Sequence, residues 1–182
     1  MCQAITGQFG SGLYLDGSGD CVRSLGAADT DLEGPKFTIE IWFKYQGVGN
    51  GTAIWTYGSA LLAEWSWRVE VLANTPDASH YRINLQVKTI ASGLVTVFTY
   101  DVAENSNWNH IAWLYDEAGD TSFRYNDLAI STIASPVADL TLAAGVRLLV
   151  LSGGTQWAFD NNRFNNVIET LSSISTRYTS GF

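Results

Sequence analysis

The chain predicts an all-β fold, a two-sheet antiparallel β-sandwich or jelly roll, and three observations carry that expectation. Apolar and mixed residues alternate with a period of two through several stretches. Turn residues recur at a spacing of about 8 to 12 positions, the rhythm of a sandwich. Aromatic residues make up 13% of the chain, and they favour pleated, half-buried surfaces. At 182 residues, one domain spanning 1–182 around one core is expected.

Taken in order, Leu13–Asp16 and Cys21–Ser24 read as short strands. The turn-rich Gly17-Ser18-Gly19-Asp20 joins them into a hairpin, since Gly and Asp supply the positive φ that a tight turn needs. A polar loop then leads through Pro35 into the strongest strand, Phe37–Tyr45. Here Phe37, Ile39, Ile41, Phe43 and Tyr45 form an apolar set, and Thr38, Glu40, Trp42 and Lys44 a mixed one. Side chains two apart share a face, so the first set belongs to a core. Trp42, between a carboxylate and an ammonium on the mixed face, requires either a covering segment or a ligand.

Ala53–Tyr57 is a short strand, and 65–71 and 81–87 alternate with one wet face each. Leu94–Tyr100, Asn109–Asp116 and Thr121–Tyr125 continue an antiparallel meander, the last two as a hairpin. The stretch 128–145 is compatible with a loop holding one short strand or a helical turn. Arg147–Leu151 and Asn165–Leu171 complete the strands, with Asp160-Asn161-Asn162 as an oxygen-rich loop after Trp157. No stretch exceeds three turns with a convincing helical period and caps.

The net charge is −8 and Lys and Arg occur singly, so no stripe exists to neutralise phosphates; nucleic acid and anionic membrane surfaces are excluded as partners. No apolar run approaches the roughly 20 residues of a spanning helix. The amino-terminal stretch lacks the basic and apolar regions of a signal peptide, which predicts synthesis in the cytoplasm. Cys2 and Cys21 are too few for a disulfide framework and lack metal-ligand spacing; free thiols are the favoured reading, with one bridge between them left open for an oxidising setting.

Three stretches resemble the laminin G-like branch of the concanavalin A-like lectin/glucanase superfamily: Gln8-Phe9-Gly10-Ser11-Gly12-Leu13-Tyr14-Leu15-Asp16-Gly17, Phe37-Thr38-Ile39-Glu40-Ile41-Trp42-Phe43-Lys44, and Asn107-Trp108-Asn109-His110-Ile111-Ala112-Trp113-Leu114-Tyr115-Asp116. They stand in the family's order. The ending Ser175-Thr176-Arg177-Tyr178-Thr179-Ser180-Gly181-Phe182 is similar to that of laminin G-like domains in tailed-phage and other virion proteins. The resemblance implies a virion-surface protein made in the host cytoplasm, present in many copies or as a homo-oligomer among other virion proteins. Two departures, Asn126-Asp127-Leu128 without the usual glycine and Glu169 where the family has Asp, leave calcium open and the metal ligands unknown.

Catalysis is not expected. The Glu-x-Asp-x-x-Glu arrangement of the glucanases is absent, and Glu64 and Glu70 lie about 20 Å apart at strand rise, too far for glycosidase geometry. Asp16 to Asp20 mimics an EF-hand start, but Ala27 stands where a bidentate Glu is required. Sugar recognition instead needs an aromatic face beside amides, carboxylates and guanidiniums. The candidates are Glu40 and Trp42 on the central strand, Arg68 and Glu70 on a neighbour, and Trp157 with Asp160, Asn161 and Asn162. A glycan-binding virion accessory protein is the favoured expectation. A purely structural capsid decoration or tail protein and a cellular carbohydrate-binding module or adhesin stay open beside it.

Overall fold

The computed structural model describes residues 3–17, 21–23, 35–46, 52–58, 65–89, 93–134, 147–153 and 156–180. Two antiparallel sheets face each other. The seven-stranded sheet has the order β1 (Gln3–Thr6), β2 (Ser11–Leu15), β13 (Trp157–Asn165), β4 (Lys36–Tyr45), β9 (Asn109–Asp116), β10 (Asp120–Tyr125) and β11 (Leu128–Ala134). The six-stranded sheet has the order β3 (Cys21–Arg23), β12 (Arg147–Gly153), β5 (Thr52–Gly58), β6 (Trp65–Ala73), β7 (His80–Thr89) and β8 (Gly93–Ala103). One helix, α1 (Leu171–Ser180), follows β13.

The period-two pattern decides which residues fill the space between the sheets. Phe37, Ile39, Ile41 and Phe43 of β4 have no exposed surface, and they join Trp55, Trp67, Val69, Tyr81, Ile83 and Leu85 of the opposite sheet in one cluster. Aromatic rings pack within and between the layers. Inside the seven-stranded sheet Phe37 stacks on Tyr115 at 4.8 Å and meets Trp113 edge-on at 5.2 Å, while across the layers Trp55 meets Phe159 edge-on at 4.9 Å. Offset and edge-on pairs add about 0.5–1.5 kcal/mol each beyond the area they bury.

Three expectations are corrected. β2 and β3 do not form a hairpin, because β2 pairs with β1 and β13 whereas β3 pairs with β12 in the other sheet. The chain crosses between layers there; residues 18–20, read as the turn, lie outside the described residues. Residues 160–162 are not a loop but the middle of β13. Asp160 lies opposite Trp42 and Arg163 opposite Glu40, so Asn161 and Asn162 together face Ile41, a β-bulge with one extra residue. The last expected strand, Asn165–Leu171, is replaced by the end of β13, an irregular stretch, and the start of α1. Part of the open stretch is settled as β11; residues 135–146 lie outside the described residues, as do Cys2, Ala27 and Glu64.

Candidate functional site

The mixed face of β4 looks away from the core, and α1 closes over it. Thr38 Oγ1 donates to the Val167 carbonyl at 2.7 Å and accepts the Glu169 N–H at 3.0 Å, which anchors the approach to the helix. Thr170 caps it, accepting the Ser173 N–H on its hydroxyl at 3.2 Å. Ile174 then buries itself against Ala112 and Leu114 of β9. One turn further, Arg177 donates through Nε at 2.9 Å and through Nη2 to Glu40 Oε1, and Tyr178 stacks on Trp42. Ser175 Oγ donates to Asp127 Oδ1 at 2.7 Å.

Trp42 is thereby enclosed from three sides: Tyr178 at 5.4 Å, the edge-on ring of Phe9 at 5.1 Å and the imidazole of His110 at 4.8 Å. The Phe9 ring is held in place by its backbone N–H, which donates to Asp160 Oδ2 at 2.7 Å. This needs a close approach at Gly7, where a Cβ would stand 2.4 Å from Asp160 Oδ2. Burial pushes the Glu40 carboxyl up, but His110, 3.6 Å away, and the Arg177 guanidinium more than offset this and hold it below its usual range.

The structure therefore distributes the expected sugar ligands over three places. Glu40, Trp42 and Asp160 share the outer face of the seven-stranded sheet, but they are 3%, 5% and 7% exposed and committed to internal partners. Trp157 has no exposed surface at all and packs against Phe43, Tyr45 and Tyr81, so it has no ring face to offer a sugar. Arg68 and Glu70 lie on β6, on the outer face of the other sheet, where they form an ion pair; Asn84 Nδ2 donates to Glu70 at 3.2 Å and Thr99 Oγ1 donates to Asn84 Oδ1 at 3.1 Å. Asn161 and Asn162 sit in the β13 bulge.

Two open recesses lie among the described residues, and neither follows from alternation. One, of about 300 Å³, lies at an end of the sandwich and is lined by Tyr45 and Gln46 at the end of β4 and by Glu104, Asn105 and Ser106 between β8 and β9. Its walls are rigid. Tyr81 donates its hydroxyl proton to the Asn105 carbonyl at 2.9 Å and accepts the Asn105 N–H at 2.8 Å. Burial pushes the Tyr81 phenol up, so it keeps that proton. Glu104 Oε1 accepts the Asn74 N–H at 2.9 Å, and Gln46 is tied to the Gln156 carbonyl through its backbone at 3.0 Å. Asn109, buried beneath, bonds the Asn105 side chain in both directions at 3.2 and 3.3 Å and accepts from Tyr125 Oη at 2.6 Å. The run Glu104-Asn105-Ser106-Asn107 between two strong strands was the sequence signal for this recess.

The other recess, about 310 Å³, lies over α1 and β13 and is lined by Arg163, Ser172, Ser173, Thr176 and Arg177. Among the described residues no group of three His, Cys, Asp or Glu side chains is placed to hold a metal ion.

No protein-family model matches the sequence, and no curated protein matches it. Solved structures do match in fold. The binding domain of botulinum neurotoxin DC in complex with SialylT superposes with a TM-score of 0.73 at 12% identity, over 99% of this chain and 45% of that one. The botulinum neurotoxin type G receptor-binding domain gives 0.70 at 11% identity, over 97% and 44%. The binding domain of Paraclostridial Mosquitocidal Protein 1 gives 0.68 at 11% identity, over 99% and 46%. The chain thus spans less than half the length of the structures it resembles, and the likeness is one of fold.

Proposed function

We propose that this chain is a non-enzymatic glycan-recognition module and that the recess at the end of the sandwich is where a sugar sits. The carrying observation is the lining of that recess. Tyr45, Gln46, Glu104, Asn105 and Ser106 line a volume of about 300 Å³, at the small end of ligand pockets and ample for one or two sugar rings. Tyr45 is 8% exposed and packs against Tyr81 and Trp157, so the site is a polar one: the Gln46, Glu104 and Ser106 side chains carry the donors and acceptors for vicinal sugar hydroxyls, on a wall fixed by the Asn105–Asn109 amide pair. The strands and the Tyr81–Asn105 clamp hold these groups in place, so little ordering cost falls on binding. The matched toxin domains support a recognition role: one was solved in complex with SialylT, and another in complex with rat synaptotagmin II, a protein partner.

The setting we propose is a virion surface, in many copies beside other virion proteins. The similarity of residues 175–182 to the ending of phage laminin G-like domains supports it, and many copies would raise avidity for a repetitive polysaccharide. A purely structural decoration role is the second reading. It is favoured by Val167, Ile168 and Leu171, three apolar side chains within five residues that are 53%, 38% and 52% exposed, a surface suited to protein contact.

A glycan array with the folded protein, run with calcium and again with chelator, tests the choice. Saturable binding lost in Gln46→Ala and Glu104→Gln supports recognition at the rim, and chelator sensitivity would bring calcium into it. Silence from folded protein moves the assignment to the structural role.

A further inference from the structure

The recess over α1 differs in chemistry from the one at the rim. Among the described residues its only charged lining groups are two guanidiniums, from separate elements, in a chain whose net charge is −8. Arg177 is fixed, with its Nε and Nη2 committed to Glu40 Oε1 and its Nη1 standing 3.6 Å from Glu169 Oε2. Its Nη1 and Nη2 still carry further N–H groups. Arg163 is exposed, and its guanidinium has no hydrogen bond or ion pair among the described residues. Register explains the proximity: Arg163 of β13 lies opposite Glu40 of β4, the residue to which Arg177 is tied. Glu40 and Glu169 are both engaged by Arg177, so the four charges cancel as a group, and Arg163 is the guanidinium not already committed to a carboxylate.

We infer that this recess binds the acidic group of a saccharide, a carboxylate or a sulfate ester. Arg163 supplies the uncommitted guanidinium and Arg177 the fixed one. The hydroxyls of Ser172, Ser173 and Thr176 meet the neighbouring sugar oxygens. The amino end of α1 is not what carries this, since Ser173 N–H is already taken by Thr170 Oγ1 at 3.2 Å. The saccharide part rests on the function proposed above. The site does not, for it lies roughly 17 Å along β4 from the rim recess at strand rise.

The test is a ¹⁵N NMR titration of the whole chain with 3′-sialyllactose, a sulfated lactose, plain lactose and inorganic sulfate, repeated on Arg163→Gln. The acidic sugars are expected to shift the amides of Ser172, Ser173 and Thr176, and lactose to leave these unmoved. Affinity should fall about tenfold or more in Arg163→Gln, as for loss of one charge-assisted contact, and should weaken as salt is raised. No shift with either acidic sugar, or equal affinity in Arg163→Gln, overturns the inference. Inorganic sulfate binding as tightly as sulfated lactose overturns its saccharide part. Lactose shifts at Gln46 and Glu104 to Ser106 report the rim recess separately, so failure of one site is distinguishable from failure of the other.

Discussion

The indole of Trp42 and the phenol ring of Tyr178 lie stacked, 5.4 Å between centroids and 17° from parallel, and this contact seats α1 on the central strand. Tyr178→Ala should lower stability by about 1–3 kcal/mol, combining lost packing with a lost ring pair. Tyr178→Phe should be nearly neutral. Urea midpoints of the two variants separate the outcomes, and red-shifted tryptophan emission in Tyr178→Ala would report that Trp42 had become wet.

Glu40 is only 3% exposed, so removing its guanidinium partner leaves a buried uncompensated charge. Arg177→Leu is expected to cost about 3–5 kcal/mol. Adding Glu40→Gln should restore part of that loss, and a double-mutant cycle measures the coupling.

The same carboxylate sets an acid response. Because its folded pKa is held below the usual 4.5, its stabilising contribution is present above that value and is lost as pH falls through the folded pKa. Asp127 contributes with the same sign: burial pushes it up, but Ser175 and Arg124 outweigh this and hold it low. Stability of the native chain should therefore decline below about pH 4.5. Glu40→Gln should flatten that decline, which denaturation midpoints from pH 6 to pH 3 would show.

Gly7→Ala places a methyl group 2.4 Å from Asp160 Oδ2. The expected result is a loss of about 1–3 kcal/mol, as for overpacking, with faster hydrogen exchange at the Phe9 N–H that Asp160 accepts. An unchanged exchange rate at Phe9 would show that the segment accommodates the methyl by moving as a unit.

Asn109→Ala removes the buried amide that ties together Asn105, Asn126 and Tyr125. A loss of about 1–3 kcal/mol is expected from the unpaired groups left behind. Exchange protection should fall across 104–107, and any glycan affinity at the rim should fall with it, since the recess wall would lose its support.

The sandwich was legible because its core obeys one rule. In β4, β6, β7 and β9 every second residue faces the other sheet, and the sequence alternates accordingly. The demand made by Trp42 was legible too, as a need for cover or ligand, but its cover comes from about 130 residues away. Helix α1 reads LSSISTRYTS, rich in Ser and Thr, which are poor helix formers. Its periodic signal is short, Leu171, Ile174 and Tyr178 at i, i+3 and i+7 behind a Thr170 cap. Packing against β9 and Trp42 makes it helical, and packing is not visible in a single sequence. Trp157 and Asp160 were misplaced for the converse reason: the polar run after Trp157 looks like a loop, whereas the bulge keeps it within a strand. The recesses were least legible: the one at the rim joins residues 45–46 to 104–106, far apart in sequence, and the one over α1, though built within 163–177, depends on a helix that the sequence does not announce.

The distance between Glu40 and Arg177, 137 positions along the chain, also orders events in time. A ribosome adding about 5–20 residues per second releases β4 on the order of ten seconds before α1 can emerge. Strand β13, one neighbour of β4 in the sheet, emerges only just before α1, so for most of that interval β4 lacks that sheet partner as well as its lid. A nascent chain in that condition is a natural client for a holding chaperone, and a chain released after β13 but ended before residue 171 should fold its sandwich and leave the Trp42 face adhesive.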